Sequence, residues 1–178
     1  MTLTLLIGGA RSGKSSLAVD IGHRHDAAGI AVTYIATAPV SDEDMADRVE
    51  RHRAERPAEW DTIEEEVDLV GALAKVEQGL AIVDCLTLWV SNLMWRDLSD
   101  DEIRTRSDEA VAAAVGRSEP TVVITNEVGL GVHPETELGR RYRDLLGWVN
   151  QAWAHAADPA LLLVAGQAVP LTDPDALL

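Results

Sequence analysis

Five short apolar runs punctuate the chain, at residues 3–7, 31–36, 80–83, 121–125 and 161–165. Each shows little polar alternation, the pattern of strands buried on both faces of a parallel sheet. Between them lie segments with helical spacing, at residues 14–27, 42–56, 86–96, 99–116 and 134–157. The second of these begins after Ser41, a suitable N-cap with Asp44 three residues on. Strands alternating with helices predict βαβ crossovers and a three-layer α/β fold. The acidic stretch 61–68, with Glu64, Glu65 and Glu66, reads as a solvated loop and helix start. The tail, residues 171–178, reads as frayed. There is no internal repeat.

The chain has 178 residues, 47% hydrophobic and 25% charged, which fits one globular domain over residues 1–178. Lys and Arg number 15 against 30 Asp and Glu, a net charge of −15. That balance disfavours nucleic acid or an anionic membrane as a general partner, since both need surplus positive charge. Local basic clusters are therefore read as sites for small anions. The single cysteine, Cys85, makes no internal disulfide and no multi-cysteine zinc site, and reads as a small core residue. The first residues lack the positive region of a signal peptide, and no apolar run approaches the roughly 20 residues that span a bilayer. The expected compartment is the cytoplasm, with no stable membrane insertion.

Gly8, Gly9, Ala10, Arg11, Ser12, Gly13, Lys14 and Ser15 fit G-x-x-x-x-G-K-[ST] without a mismatch. A buried strand precedes the motif and a helix follows it. Glycines let consecutive N–H groups curl toward a phosphate, and the helix start adds partial positive charge. Lys14 is expected to reach the β- and γ-phosphates of a nucleoside triphosphate, and Ser15 to ligate Mg²⁺. Asp84 closes the third apolar run, where an acid would hold Mg²⁺ or its water; its other use is to cap the following helix. Asn126 and Glu127 close the fourth run. Ligands gather at the carboxyl ends of parallel strands, so one crevice can receive Gly8, Thr37, Asp84 and Glu127. Glu127 is expected to contact metal, water or acceptor, or else to cap the turn at residues 129–131.

A second constellation lies in residues 42–56. Met45, Val49, His52 and Arg56 share one helix face, and Arg48 and Arg56 stand four residues to either side of His52. This basic cluster suits a triphosphate. Neighbouring arginines disfavour the imidazolium, and a neutral imidazole can attack phosphorus. The plainer alternative is an exposed amphipathic helix with its histidine at the domain edge.

The segments GGARSGKS, YIATA (34–38), DEDMADRVERHRAERPAEWDTIEE (42–65), DCLTLWVSNL (84–93), TNEVGLGVHPE (125–135) and GRRYRDLLGWVNQ (139–151) occur in that order. Together they resemble the bifunctional adenosylcobinamide kinase/adenosylcobinamide-phosphate guanylyltransferase family of cobalamin biosynthesis. The resemblance runs from Leu3 to about Val169. It implies a P-loop nucleoside-triphosphatase fold, a RecA-like, mostly parallel sheet flanked by helices on both faces, assembled as a homotrimer. It also implies two reactions. ATP or GTP phosphorylates adenosylcobinamide, and GTP then donates GMP to adenosylcobinamide phosphate through a GMP–histidine intermediate. The matching histidine is His52. By the same match, Ala36, Thr37, Ala38, Arg53, Ala54, Glu55, Arg56, Glu64 and Asp84 are expected to contact the nucleotide. Some family members carry two adjacent histidines, whereas this chain has Arg51-His52. The last strand here continues as Gly166-Gln167-Ala168-Val169-Pro170 in place of the family's Gly-Leu-Pro-like turn. Two other classes fit the residues alone: a P-loop kinase for another small alcohol, with no covalent step, and a nucleotide switch.

Overall fold

A computed structural model describes residues 3–39 and 57–177. The five apolar runs become five parallel strands: β1 (Leu3–Gly8), β2 (Val32–Ala36), β4 (Leu80–Asp84), β5 (Thr121–Asn126) and β6 (Ala160–Val164). Two further strands complete one seven-stranded sheet, β3 (Asp61–Glu64) and β7 (Gln167–Pro170), in the order β3-β2-β4-β5-β1-β6-β7. Only β7 runs antiparallel. Among the described residues five helices lie between the strands: α1 (Lys14–Ala27), α2 (Leu69–Lys75), α3 (Leu86–Trp95), α4 (Asp100–Val115) and α5 (Glu137–Ala156).

Successive residues of each inner strand feed opposite cores, as the two-residue repeat requires. Leu6, Ile82, Ile124 and Leu163 pack with Ala18 of α1 and with Tyr34 and Trp60. Leu5, Val83 and Val123 face the other side, against Leu73, Trp89, Leu145 and Trp153 from α2, α3 and α5. Trp153 is fully buried, a packing residue as its place on the helix suggests. Trp148 is half-exposed, with the Arg104 guanidinium 3.2 Å above its ring.

Helix ends follow local chemistry. The Ser99 hydroxyl accepts from Glu102 N, and the Glu102 carboxylate accepts from Ser99 N, a capping box that starts α4. α5 starts three residues later than the pattern suggests, because Thr136 Oγ1 caps it by accepting from Gly139 N at 3.1 Å.

Two expectations are corrected. The acidic stretch is not all loop: residues 61–64 pair with the edge of β2, and Asp68 then caps α2 by accepting from Gly71 N. An edge strand exposed to water needs no apolar run, so hydropathy does not mark it. The tail is not frayed through residue 177. β7 returns through a turn whose Ala165 and Gly166 have φ of 51° and 76°, the left-handed pair of a two-residue hairpin. Beyond it, Leu171 N donates to Ala160 O at 2.9 Å, His155 Nδ1 meets Asp173 Oδ2 at 3.1 Å, and residues 174–177 form one 3₁₀ turn.

Candidate nucleotide site at the strand ends

β1 delivers the chain to Gly8, where space is set by neighbours. A Cβ at Gly8 would lie 2.3 Å from Leu163 O and 2.9 Å from Ser12 Oγ. The loop then turns through Arg11 at φ 55° and Gly13 at φ 101°, and Gly13 is the N-cap of α1. No side chain caps α1, and its first turn carries no acid. Its leading N–H groups and dipole are thus available to an anion. Lys14 is buried beneath the loop; its ammonium donates to Gly9 O at 2.6 Å and to Ser12 Oγ at 3.3 Å. Ser12 O accepts from Gly166 N at 3.0 Å, so the β6–β7 turn braces the loop from below.

Asp84 ends β4, and β5 stands between it and β1. Its Oδ2 is 3.5 Å from Ser15 Oγ and also accepts from the Tyr34 hydroxyl. The capping role does not apply to Asp84, since Cys85 is the N-cap of α3 and no side chain makes a cap hydrogen bond there. A serine hydroxyl facing a carboxylate is a hard-oxygen pair. It fits Mg²⁺, which takes one or two protein oxygens and completes its shell with water and phosphate. Among the described residues no group of three or more His, Cys, Asp or Glu side chains is placed to hold a metal. The Cys85 thiol is pushed up to about 12 by burial and by the adjacent Asp84 charge, which keeps it protonated.

The other expected residues divide. Thr37 is fully enclosed, with Oγ1 donating to Cys85 O at 2.7 Å and accepting from Cys85 N at 2.8 Å. Its N donates to Asp84 O, and its O accepts from Asn92 Nδ2. It clasps β2 to β4 and exposes no side chain to a ligand. Ala36 and Ala38 are half-buried at the same strand end. Glu64 ends β3, opposite Ala36 in register and four strand positions from β1, about 19 Å by strand spacing. Asn126 lies opposite Gly8 in register; its N donates to Thr87 Oγ1 and its O accepts from Asn150 Nδ2. Glu127 N donates to Gly8 O at 3.1 Å, while the Glu127 carboxylate accepts from Gly129 N, the turn-capping alternative. His52, Arg53, Ala54, Glu55 and Arg56 lie outside the described residues, as do Ser41 and the rest of that predicted helix. Just beyond them Trp60 is buried against Gly22 of α1, with its ring 5.3 Å from that of His23.

Sequence reasoning missed Tyr34, Asn92, Asn150 and the Gly166 turn. A buried tyrosine needs a partner for its hydroxyl, and a polar residue on an apolar helix face needs one too. Those were the available signals.

Strand, glycine loop, lysine-led helix and an acid-ended strand one place beyond its neighbour define a mostly parallel α/β protein of P-loop-like fold. A solved structure with the same architecture is the flagellar accessory protein FlaH from Methanocaldococcus jannaschii. Its TM-score is 0.53 at 13% identity, covering 94% of this chain and 74% of FlaH, a likeness of fold alone. The family is defined by sequence. Residues 4–171 match the model described as cobinamide kinase/cobinamide phosphate guanyltransferase, and the chain belongs to that family. It is 44% identical over 171 residues to the bifunctional adenosylcobalamin biosynthesis protein CobP of Pseudomonas aeruginosa, covering 94% of this chain and 95% of that one. It is 36% identical over 188 residues to the corresponding protein CobU of Escherichia coli, covering 95% of this chain and 99% of the relative.

Proposed function

We propose that this chain phosphorylates adenosylcobinamide with ATP or GTP and then transfers GMP from GTP to adenosylcobinamide phosphate, giving adenosylcobinamide-GDP and pyrophosphate in cobalamin biosynthesis. The observation that carries the reading is the convergence of the uncapped α1 start, Lys14, Ser15 and Asp84 at one end of the sheet, in a chain that matches bifunctional relatives over nearly their whole length.

In the kinase step, an acceptor hydroxyl attacks the γ-phosphorus, the bond to the β,γ-bridging oxygen breaks, and the nucleoside diphosphate leaves. Gly9, Ala10, Arg11 and Ser12 line the loop whose N–H groups would cradle the phosphates, and Lys14 would leave its loop contacts for the phosphate oxygens. Ser15 and Asp84 would hold Mg²⁺, which when bound neutralises charge on the phosphate oxygens. In the transfer step, a ring nitrogen of His52 attacks the α-phosphorus and pyrophosphate leaves. A phosphate oxygen of the acceptor then displaces the histidine. Arg53 and Arg56 supply positive charge beside it in sequence. Ala36, Ala38 and Glu64 would flank the nucleoside.

The strand inserted between β1 and β4 supports a RecA-like reading of the sheet. We also propose a single domain, a homotrimer and a cytoplasmic location. No helix among the described residues is long and apolar enough to cross a membrane.

Incubation with Mg²⁺ and GTP labelled at the α-phosphate, followed by denaturation, tests the transfer half. The expected result is label retained from the α- but not the γ-position, labile to acid, stable to base and absent in His52→Ala. No retained label from either position, with acceptor phosphorylation intact, reduces the protein to a phosphate-loop kinase.

A further inference from the structure

Asp84 is held twice. Its backbone is fixed by the Thr37 clasp, with Thr37 N donating to Asp84 O at 3.0 Å and Thr37 Oγ1 bonded to both polar groups of the Cys85 backbone. Its side chain is fixed by Tyr34. The Tyr34 hydroxyl and Ser15 Oγ converge on the same oxygen, Oδ2. Tyr34 is 3% exposed and packs among Leu6, Ala18 and Ile82, so its ring has one place to be.

We propose that Tyr34 is a positioning residue whose buried hydroxyl holds the Asp84 carboxylate turned toward Ser15 and thereby sets the affinity of that oxygen pair for Mg²⁺. The proposal rests on the reading of Asp84 as the metal-side acid. A carboxylate at a strand end can rotate about its last bond, and an unfixed one must be ordered when the cation binds. A neutral phenol donor removes that rotation without cancelling the negative charge, as a lysine in the same place would. Outer partners of this kind tune metal sites by orienting the inner oxygens, and their removal typically costs about 10–100-fold in metal affinity.

The test measures Mn²⁺ binding by electron paramagnetic resonance and the Mg²⁺ half-saturation for a non-hydrolysable GTP analogue. It compares the full chain with Tyr34→Phe and Asp84→Asn. The expected result is a half-saturation raised about tenfold in Tyr34→Phe, with metal-free analogue affinity unchanged, and a larger loss in Asp84→Asn. A Tyr34→Phe protein that matches the parent while Asp84→Asn is impaired overturns the role of Tyr34 alone. An Asp84→Asn protein with unaltered metal binding overturns the reading of Asp84, and this proposal with it.

A second measurement needs no variant at Tyr34. The chain has two tyrosines, so uniform 3-fluorotyrosine labelling gives two ¹⁹F lines, assigned with Tyr142→Phe. The Tyr34 line is expected to move when Mg²⁺ is added to the analogue-bound protein. A line that stays put while the metal binds overturns the proposal.

Discussion

At the carboxyl ends of the strands, four polar residues meet different fates according to what lies within reach. Thr37 is drawn into the backbone of β4 and becomes a clasp. Asp84 is left facing Ser15. Glu127 is claimed by its own turn at Gly129. Cys85, next to Asp84, is buried in the core on the α1 side of the sheet. Its thiol lies above the ordinary value of 9.0, at about 12, because burial and the Asp84 charge disfavour the thiolate. The native thiol is therefore expected to resist Ellman's reagent at pH 8 and to react once the protein is unfolded. The sign of the linkage follows from the raised value. The unfolded chain ionises first, so this group's stabilisation is full below pH 9.0 and is lost as pH rises toward about 12. Comparison of Cys85→Ala with the parent by denaturant melts across that window should show the parent losing stability with pH more steeply than the variant. Sequence singled out Lys14 and Ser15 by their offsets in a motif, and Asp84 because it closes an apolar run. Tyr34 had no such offset; its role appears only once β2 is laid beside β4.

Among the helices, the contrast lies in how each begins. α2, α4 and α5 are capped by Asp68, Ser99 and Thr136, whereas α1 has only Gly13. α1 is also pinned near its far end, where Gly22 lies under Trp60. A Cβ at Gly22 would lie 2.2 Å from the Trp60 ring. Gly22→Ala should destabilise the protein by roughly 1–3 kcal/mol through overpacking, although alanine is the better helix former. A denaturant titration checks it, and pairing the change with Trp60→Leu should recover part of the loss. The elements carried by periodicity and caps were legible from the chain: five strands, and four of the five helices described here. β3 and β7 were not, and of α2 only the start after the acidic stretch was. β3 is acidic and exposed at one edge, α2 spans only Leu69–Lys75, and β7 exists because a hairpin turn presents it to β6. Each is specified by its neighbour more than by its own pattern.

Across the whole molecule, the glycine loop rests on segments far apart in the chain. β1 lies between β5 and β6, Leu3 O accepts from Asp158 N, and the Gly166 turn bonds to Ser12. A chain ending at residue 164 should therefore bind GTP more weakly than the full chain while keeping its helical circular dichroism. Unchanged affinity would show that the brace does nothing for the loop. The choice of family was legible because its motifs span the chain; the brace was not, because it joins residues 154 positions apart. The same brace bears on how the protein is made. A ribosome releases the glycine loop long before the turn that bonds to it. The first strand emerges before either of its partners, and during most of synthesis its backbone must go without both. Nucleotide held firmly at the finished loop would thus report that the turn has been made and folded against it, and a chain cut before that turn would hold its nucleotide loosely.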